Sequence, residues 1–323
     1  MAGRRVLVSG VGGELGVQVA SMLEEESWVG ELAGIDADPP RRRLKRTTFH
    51  RIHPDDHDRV VETVLAFDPH VLVHVGVWEP DARASPAAAA DLTDRAATSI
   101  LGAAAECPAL ESVIVRSGIE IYGRARNSLT RPDESAPIRP TSEWGRTVAH
   151  MERTASSVAE RVGVTVGAVR LASVIGPHVP SPLGRILRLP TVPVVVPANP
   201  SFSVIRQTDA ARAIVAAARL RLAEPVNVVA GGSITALQAA RRGRRLPSFV
   251  VGAQWPAVRT LCHLAGAPVP DHVSETFRRG RLADNGRMRE LLGIVPEQTT
   301  GDVIDDLFGW PSIVRHPARK QIA

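Results

Sequence analysis

Val6-Leu7-Val8-Ser9-Gly10-Val11-Gly12-Gly13-Glu14-Leu15-Gly16 decides how the rest of this 323-residue chain is read. A short apolar run stops at a glycine, and glycines recur at 10, 13 and 16. A segment then follows, Glu14–Glu25, in which Leu15, Val19, Met22 and Leu23 repeat at helical spacing. The pattern predicts a strand, a tight turn and a helix. Gly10 permits the turn, Gly13 lets the backbone approach a pyrophosphate, and Gly16 lets helix and strand pack closely. Free N–H groups at Glu14, Leu15 and Gly16 would face the phosphates, because a helix N-terminus favours anions. Asp36 ends the next apolar run, where a carboxylate can accept hydrogen bonds from both ribose hydroxyls. The competing reading is a glycine-rich turn with a structural role only.

Outward from this loop the βα rhythm continues. Leu32–Asp36 reads as a second strand, Thr48–Ile52 as a weak third, and Asp55–Phe67 as a helix. Val71–Val77 is an unbroken apolar run of the kind buried on both faces of a parallel sheet, which adds Val75 and Gly76 to the cofactor-facing residues. Ala87–Cys107 reads as a helix, Ser112–Val115 as a strand, Ser142–Val162 as a long helix and Thr165–Leu171 as a strand. The expected fold is α/β, a doubly wound parallel (Rossmann) sheet with a smaller C-terminal substrate lobe. Residues 1–176 form the dinucleotide-binding domain. Residues 177–323 are mainly lobe, and about 206–230 return to the core through the helix Thr208–Leu222 and the strand Val226–Val229. Ile234–Gly309 reads as lobe helices, and 315–323 as a frayed tail.

Composition narrows the function classes. The chain is 44% hydrophobic, enough for a large core, and carries a net charge of +5. Its two basic runs, Arg41–Arg46 and Arg241–Arg245, lie outside any recognisable nucleic-acid module and read as solvated loops or helix ends, so no nucleic-acid partner is expected. No apolar stretch is long enough for a transmembrane segment. The N-terminal residues enter the first strand without an apolar leader, which places the chain in the cytoplasm. Cys107 and Cys262 are too few for a disulfide framework, and no spacing suits a metal.

Further landmarks carry a resemblance. The Gly-x-x-Gly-x-x-Gly spacing, Ser112-Val113-Ile114-Val115-Arg116-Ser117-Gly118-Ile119-Glu120-Ile121-Tyr122-Gly123, Arg170-Leu171-Ala172-Ser173-Val174-Ile175-Gly176-Pro177, Gln207-Thr208-Asp209-Ala210-Ala211-Arg212-Ala213 and Val226-Asn227-Val228 are together similar to the extended short-chain dehydrogenase/reductases. The chain resembles their NAD-dependent epimerase/dehydratase branch, in particular actinobacterial members labelled UDP-glucose 4-epimerase. The resemblance spans essentially the whole chain. It implies NAD as cofactor, a nucleotide sugar as substrate, hydride transfer as chemistry, and a homodimer paired through the two long helices. Asp36 favours NAD, since it would repel a 2′-phosphate, although Arg41–Arg43 could offer a clamp for NADP.

The resemblance breaks at the reactive groups. The chain has one tyrosine, Tyr122, and two lysines, Lys45 and Lys320, so no Tyr-x-x-x-Lys pair can exist. The tyrosine position is Trp144 and the lysine position is Val148. An indole N–H only donates and does not titrate, so it is no general base. The serine position is Gly118. Ser117 precedes it and faces the other side of a regular strand unless the backbone bends. Glu120 matches the second acid of the dehydratase Asp-Glu pair, while Ile119 replaces the first. Ser117 and Glu120 are therefore the candidate catalytic residues. The alternative is a catalytically silent NAD(P)-binding sensor or partner protein, in which Trp144, Val148 and Met151 form an apolar stripe.

Other groups have bland readings beside functional ones. His74 at a strand end and His178 after Gly176-Pro177 could approach a substrate or simply pack. His53 stands near the expected adenine, and His150 should point away from Trp144. The segment 250–264, with Trp255, Val258, Leu261 and Cys262 at helical spacing, reads as a lobe helix over the cleft or as a membrane or partner surface.

Overall fold

Parallel strands need crossovers, and the helices of this chain supply them on both faces of one sheet. The computed structural model describes residues 3–81 and 84–310; the tail expected at 315–323 lies outside them. The core runs β1 (Arg4–Ser9), α1 (Glu14–Leu23), β2 (Val29–Asp36), β3 (Thr47–Arg51), α2 (His57–Phe67), β4 (Val71–His74), α3 (Pro86–Ala104), β5 (Ser112–Gly118), α4 (Glu143–Val162) and β6 (Thr165–Leu171). There follow β7 (Ser173–Ile175), α5 (Pro182–Leu187), β8 (Thr191–Val196), β9 (Ser201–Phe202), β10 (Val204–Arg206), α6 (Gln207–Leu220) and β11 (Val226–Val228). The last stretch comprises β12 (Ile234–Thr235), α7 (Ala236–Arg242), β13 (Leu246–Val251), α8 (Trp255–Leu264), α9 (Asp271–Arg279), α10 (Gly286–Leu292) and α11 (Thr300–Gly309).

Seven parallel strands lie in the order β11-β6-β5-β4-β1-β2-β3. The order reverses between β1 and β4, the crevice where ligands of such sheets bind. Alternation along each strand feeds two cores. Val6, Val8, Val73 and Ile114 pack with α1 and α6, and Leu7, Leu72, Val113 and Val115 pack with α2, α3 and α4. A third cluster, including Ile186, Phe202, Trp255, Phe277 and Ile304, is the lobe core.

Three expectations change. The strand predicted at 71–77 stops at His74, because the chain turns to bring Gly76 against Gly10. The stretch 234–309 is not all helix: β13 pairs in parallel with β8, and β12 pairs antiparallel with β9. The stripe Trp144–Val148–Met151 is split, since Trp144 and Val148 join the α1/α6 core and Met151 the opposite one. Met288 and Leu292 of α10 pack into the same cluster as α6 and β11.

Candidate dinucleotide and substrate site

The loop at the switch point is fixed by steric necessity. Gly10 sits at φ +84°, a conformation that side chains rarely adopt, and its N–H donates to the Ile35 carbonyl at 2.9 Å. A Cβ at Gly16 would collide with the Gly10 carbonyl oxygen, which forces that position. Gly13 is different: its nearest protein atom would be 3.6 Å from an added Cβ, so its face is open. Gly13 is also the N-cap of α1, without a side-chain hydrogen bond, so no capping side chain satisfies the first N–H groups at Glu14, Leu15 and Gly16. The Glu14 carboxylate is buried, with Oε1 3.6 Å from Nη1 of Arg41.

Asp36 closes the other side. Its Oδ2 accepts from the Gly12 N–H at 2.8 Å and its Oδ1 from the Asp38 N–H at 3.0 Å. Burial raises its pKa, against the opposing pull of those hydrogen bonds. An ionised carboxylate has about four acceptor sites, so these bonds leave room for a further donor. Beside it lies a pocket whose walls include Ser9, Asp36, Ile52, His74, Gly76 and Ser99. Val75 reaches back through its N–H to the Ser9 carbonyl at 3.0 Å. The uncapped helix start, the open face at Gly13 and the spare carboxylate lone pairs fit a dinucleotide. His74 is fully buried, with Nδ1 2.5 Å from Ser9 Oγ, and burial depresses its pKa to about 4. It is a neutral imidazole at physiological pH.

The segments expected to carry the reactive groups are largely buried. Trp144 stands in the first turn of α4, where Ser142 Oγ accepts the Gly145 N–H at 3.2 Å. Trp144 and Val148 are buried among apolar side chains. Backbone at Gly118 remains extended, so Ser117 keeps strand alternation and projects from the opposite face. Ser117 is buried, and its Oγ has no partner among the described residues. The Glu120 carboxylate fills the space that a side chain at Gly118 would need. Tyr122 is structural. Its hydroxyl donates to Asn227 Oδ1 at 2.7 Å and accepts from Arg170 Nη1 at 3.0 Å, and Arg170 holds Glu152 through bonds of 3.0 and 2.8 Å.

The lobe brings groups that sequence reasoning missed. On α9, His272, Glu275 and Arg279 share one face at helical spacing. His272 Nε2 lies 2.9 Å from Oε1 of Glu79, in the loop after β4, and its ring centroid is 6.1 Å from that of Trp144. Glu275 Oε2 accepts from Arg281 Nη2 at 2.8 Å, and Arg281 Nε is 3.8 Å from Glu120 Oε1. Arg279 donates to the Arg124 carbonyl. Burial foremost, with Arg281 adding to it, lowers the Arg124 pKa to about 10. The helix that meets α4 is thus α9, whereas α8 buries Trp255 and Cys262 in the lobe and exposes Leu261 and Leu264. His178 and His53 are exposed, the latter 3.3 Å from Asp55, and His150 pairs with Asp94 at 3.0 Å in the α3–α4 groove.

A family model described as the NAD dependent epimerase/dehydratase family matches residues 6–230. The chain belongs to that family. An uncharacterized protein of Mycobacterium tuberculosis (strain ATCC 25618 / H37Rv) is 27% identical, the match covering 94% of this chain and 83% of the relative, and an uncharacterized Mycobacterium bovis protein matches equally. Among solved structures, the UDP-glucose 4-epimerase of Thermotoga maritima with UDP-glucose superposes with a TM-score of 0.73 at 17% identity, over 94% of this chain and 97% of that one. The UDP-glucuronic acid 4-epimerase of Bacillus cereus in complex with NAD gives 0.72 at 16% identity, over 94% and 98%. The Brucella ovis UDP-glucose 4-epimerase in complex with NAD gives 0.72 at 20%, over 94% and 96%. The likeness in fold extends over both core and lobe of this epimerase/dehydratase family member. Among the described residues no helix is long and apolar enough to cross a membrane.

Proposed function

We propose that this protein binds NAD and a nucleotide sugar in the cytoplasm and moves hydride between them, with groups other than a Tyr-Lys pair handling the proton. The observation that carries this reading is the Asp36 carboxylate, fixed by the Gly12 and Asp38 N–H groups beside the open, uncapped loop Gly13–Gly16, where ribose hydroxyls would meet it. Asp36 also favours NAD over NADP, because a 2′-phosphate would meet a second negative charge. The Gly13–Gly16 loop and Asp36 would hold the NAD, which would supply a reversible hydride acceptor for a sugar carbon. Relatives of this fold hold UDP-glucose or NAD, which supports the same ligand classes here. Among the catalytic candidates, Glu120 lines the reactive end and Ser117 faces away from Gly118. A homodimer through α3 and α4 belongs to this reading.

A second reading is favoured by one observation. Trp144 and Val148 are 6% and 0% exposed, so the catalytic positions are packed as core. That suits a silent NAD-binding sensor or partner protein. The experiment is NAD binding by fluorescence, followed by mixing with UDP- and dTDP-sugars, with NADH absorbance and product chromatography read together. New sugar products or NADH support the enzyme; bound NAD with neither supports the silent protein; no NAD binding removes both.

A further inference from the structure

We propose that His272 is the acid–base group of this site, held in place by Glu79, so that a histidine on a lobe helix does the work for which α4 has no tyrosine. The inference rests on the hydride-transfer reading above.

The tautomer follows from the partner. A carboxylate only accepts, so the 2.9 Å contact to Glu79 puts the hydrogen on Nε2 and leaves the lone pair on Nδ1. Among the described residues Nδ1 has no hydrogen-bond partner, although His272 is 2% exposed. Burying an imidazole with one nitrogen unpaired costs free energy, and a substrate hydroxyl would relieve that cost. A carboxylate orienting one ring nitrogen while the other takes a proton is an arrangement that recurs in general-base catalysis. An imidazole can take a proton on one ring nitrogen while the other stays hydrogen-bonded.

Position agrees with chemistry. The ring lies against Trp144, which occupies the tyrosine position, and Glu79 follows β4, whose carboxyl end borders the cofactor crevice. The charged groups around the dyad come from β5, the segment that follows it, and α9 with its C-terminal extension. Arg116 of β5 interacts electrostatically with both Glu79 and Glu120. Glu120 faces Arg281, which Glu275 of α9 also holds, and Arg124 completes the set. Each carboxylate in the cluster thus has an arginine near it.

The step balances. The sugar O–H bond breaks and its proton passes to Nδ1. The C–H bond on the same carbon would give up its electron pair as hydride and a C=O bond would form; NAD, held by the Gly13–Gly16 loop and Asp36, would supply the two-electron acceptor, and the reverse step would restore both. Glu79 is a positioning residue for the imidazolium formed.

The test uses the full chain with NAD and three probes, UDP-glucose, UDP-galactose and UDP-glucuronic acid. His272→Gln and Glu79→Gln are each expected to bind NAD as the wild type does and to lose about 10²- to 10⁴-fold in turnover. The double variant should be little worse than either, since the two act as a unit. Glu79→Gln should also move the pH midpoint of the rate. Imidazole should restore part of the activity of His272→Ala, which a packing role would not allow. A readout independent of turnover is the ¹⁵N resonance of His272 Nδ1 in wild type, which should shift when a turned-over sugar joins the NAD complex. Variants that keep turnover within tenfold, or an Nδ1 resonance indifferent to sugar, overturn the dyad and leave the enzyme reading standing. Wild type that binds NAD but converts none of the probes overturns both. If His272 variants fail to fold, Glu79→Gln and the Nδ1 resonance decide.

Discussion

Nε2 of His272 and Oε1 of Glu79 lie 2.9 Å apart across the junction of lobe and sheet, with the imidazole buried and the carboxylate side chain 19% exposed. Whatever its chemical role, the contact ties α9 to the loop after β4. Glu79→Ala removes the acceptor and strands a buried N–H, which costs about 1–3 kcal/mol. Thermal unfolding should show a lower Tm. An unchanged Tm would mean that the contact contributes nothing to docking the lobe.

Asp36 is expected to set the preference for NAD under the proposed reading. Removing its charge by Asp36→Ser takes away two backbone acceptors and the bonds expected to the ribose, each charged bond being worth about 1.5–3 kcal/mol. NAD affinity should fall by tenfold or more. NADP affinity should fall less or rise, because Arg41 lies across the loop with Nη1 close to Glu14. Fluorescence titration with both dinucleotides measures the ratio, and a ratio unmoved by the substitution would refute the assignment.

Trp144→Tyr with Val148→Lys rebuilds a Tyr-x-x-x-Lys pair, which by sequence alone should create activity. The structure adds a cost: Val148 is fully buried among apolar side chains, and an unpaired ammonium there is expensive. The double variant should be less stable than Trp144→Tyr alone by at least about 2 kcal/mol. NAD should recover part of that loss if its ribose partners the lysine. Melting with and without NAD checks both statements; equal stability of the two variants without NAD would show that the Val148 pocket opens to water.

The difference between what could and could not be read lies in contact range. Gly10, Gly16 and Asp36 declare themselves because their roles are set by the turn and the strands on either side. The βα rhythm is similarly local, since apolar strands buried on both faces leave a clear pattern. Trp144 and Val148 were legible as missing groups, because a side chain's chemistry needs no coordinates. Glu79, His272, Arg281 and Arg124 were not legible, for their meaning depends on a helix nearly two hundred residues away docking onto β4 and α4. Within α9 the sequence shows only an amphipathic helix, and its polar face reads as solvent-facing until the fold turns it inward. The end of β4 was misjudged for a related reason: Val75 and Val77 suit a strand locally, while the approach of Gly76 to Gly10 is a tertiary demand.

His74 links the cofactor pocket to pH. Folded, its pKa is about 4 because burial disfavours the charged ring, against 6.5 for an unburied histidine. Above pH 6.5 the ring is neutral in both states and makes no difference to stability. As the pH falls from 6.5 to about 4, the unfolded chain takes up a proton that the folded chain refuses, and stability is lost. The integrated loss from this one group is about 3 kcal/mol. Urea unfolding at pH 7.5 and pH 5 should therefore differ more in wild type than in His74→Asn, which cannot titrate. Equal pH dependence in the two proteins would mean that the folded ring accepts a proton after all, through Nε2, which has no partner among the described residues.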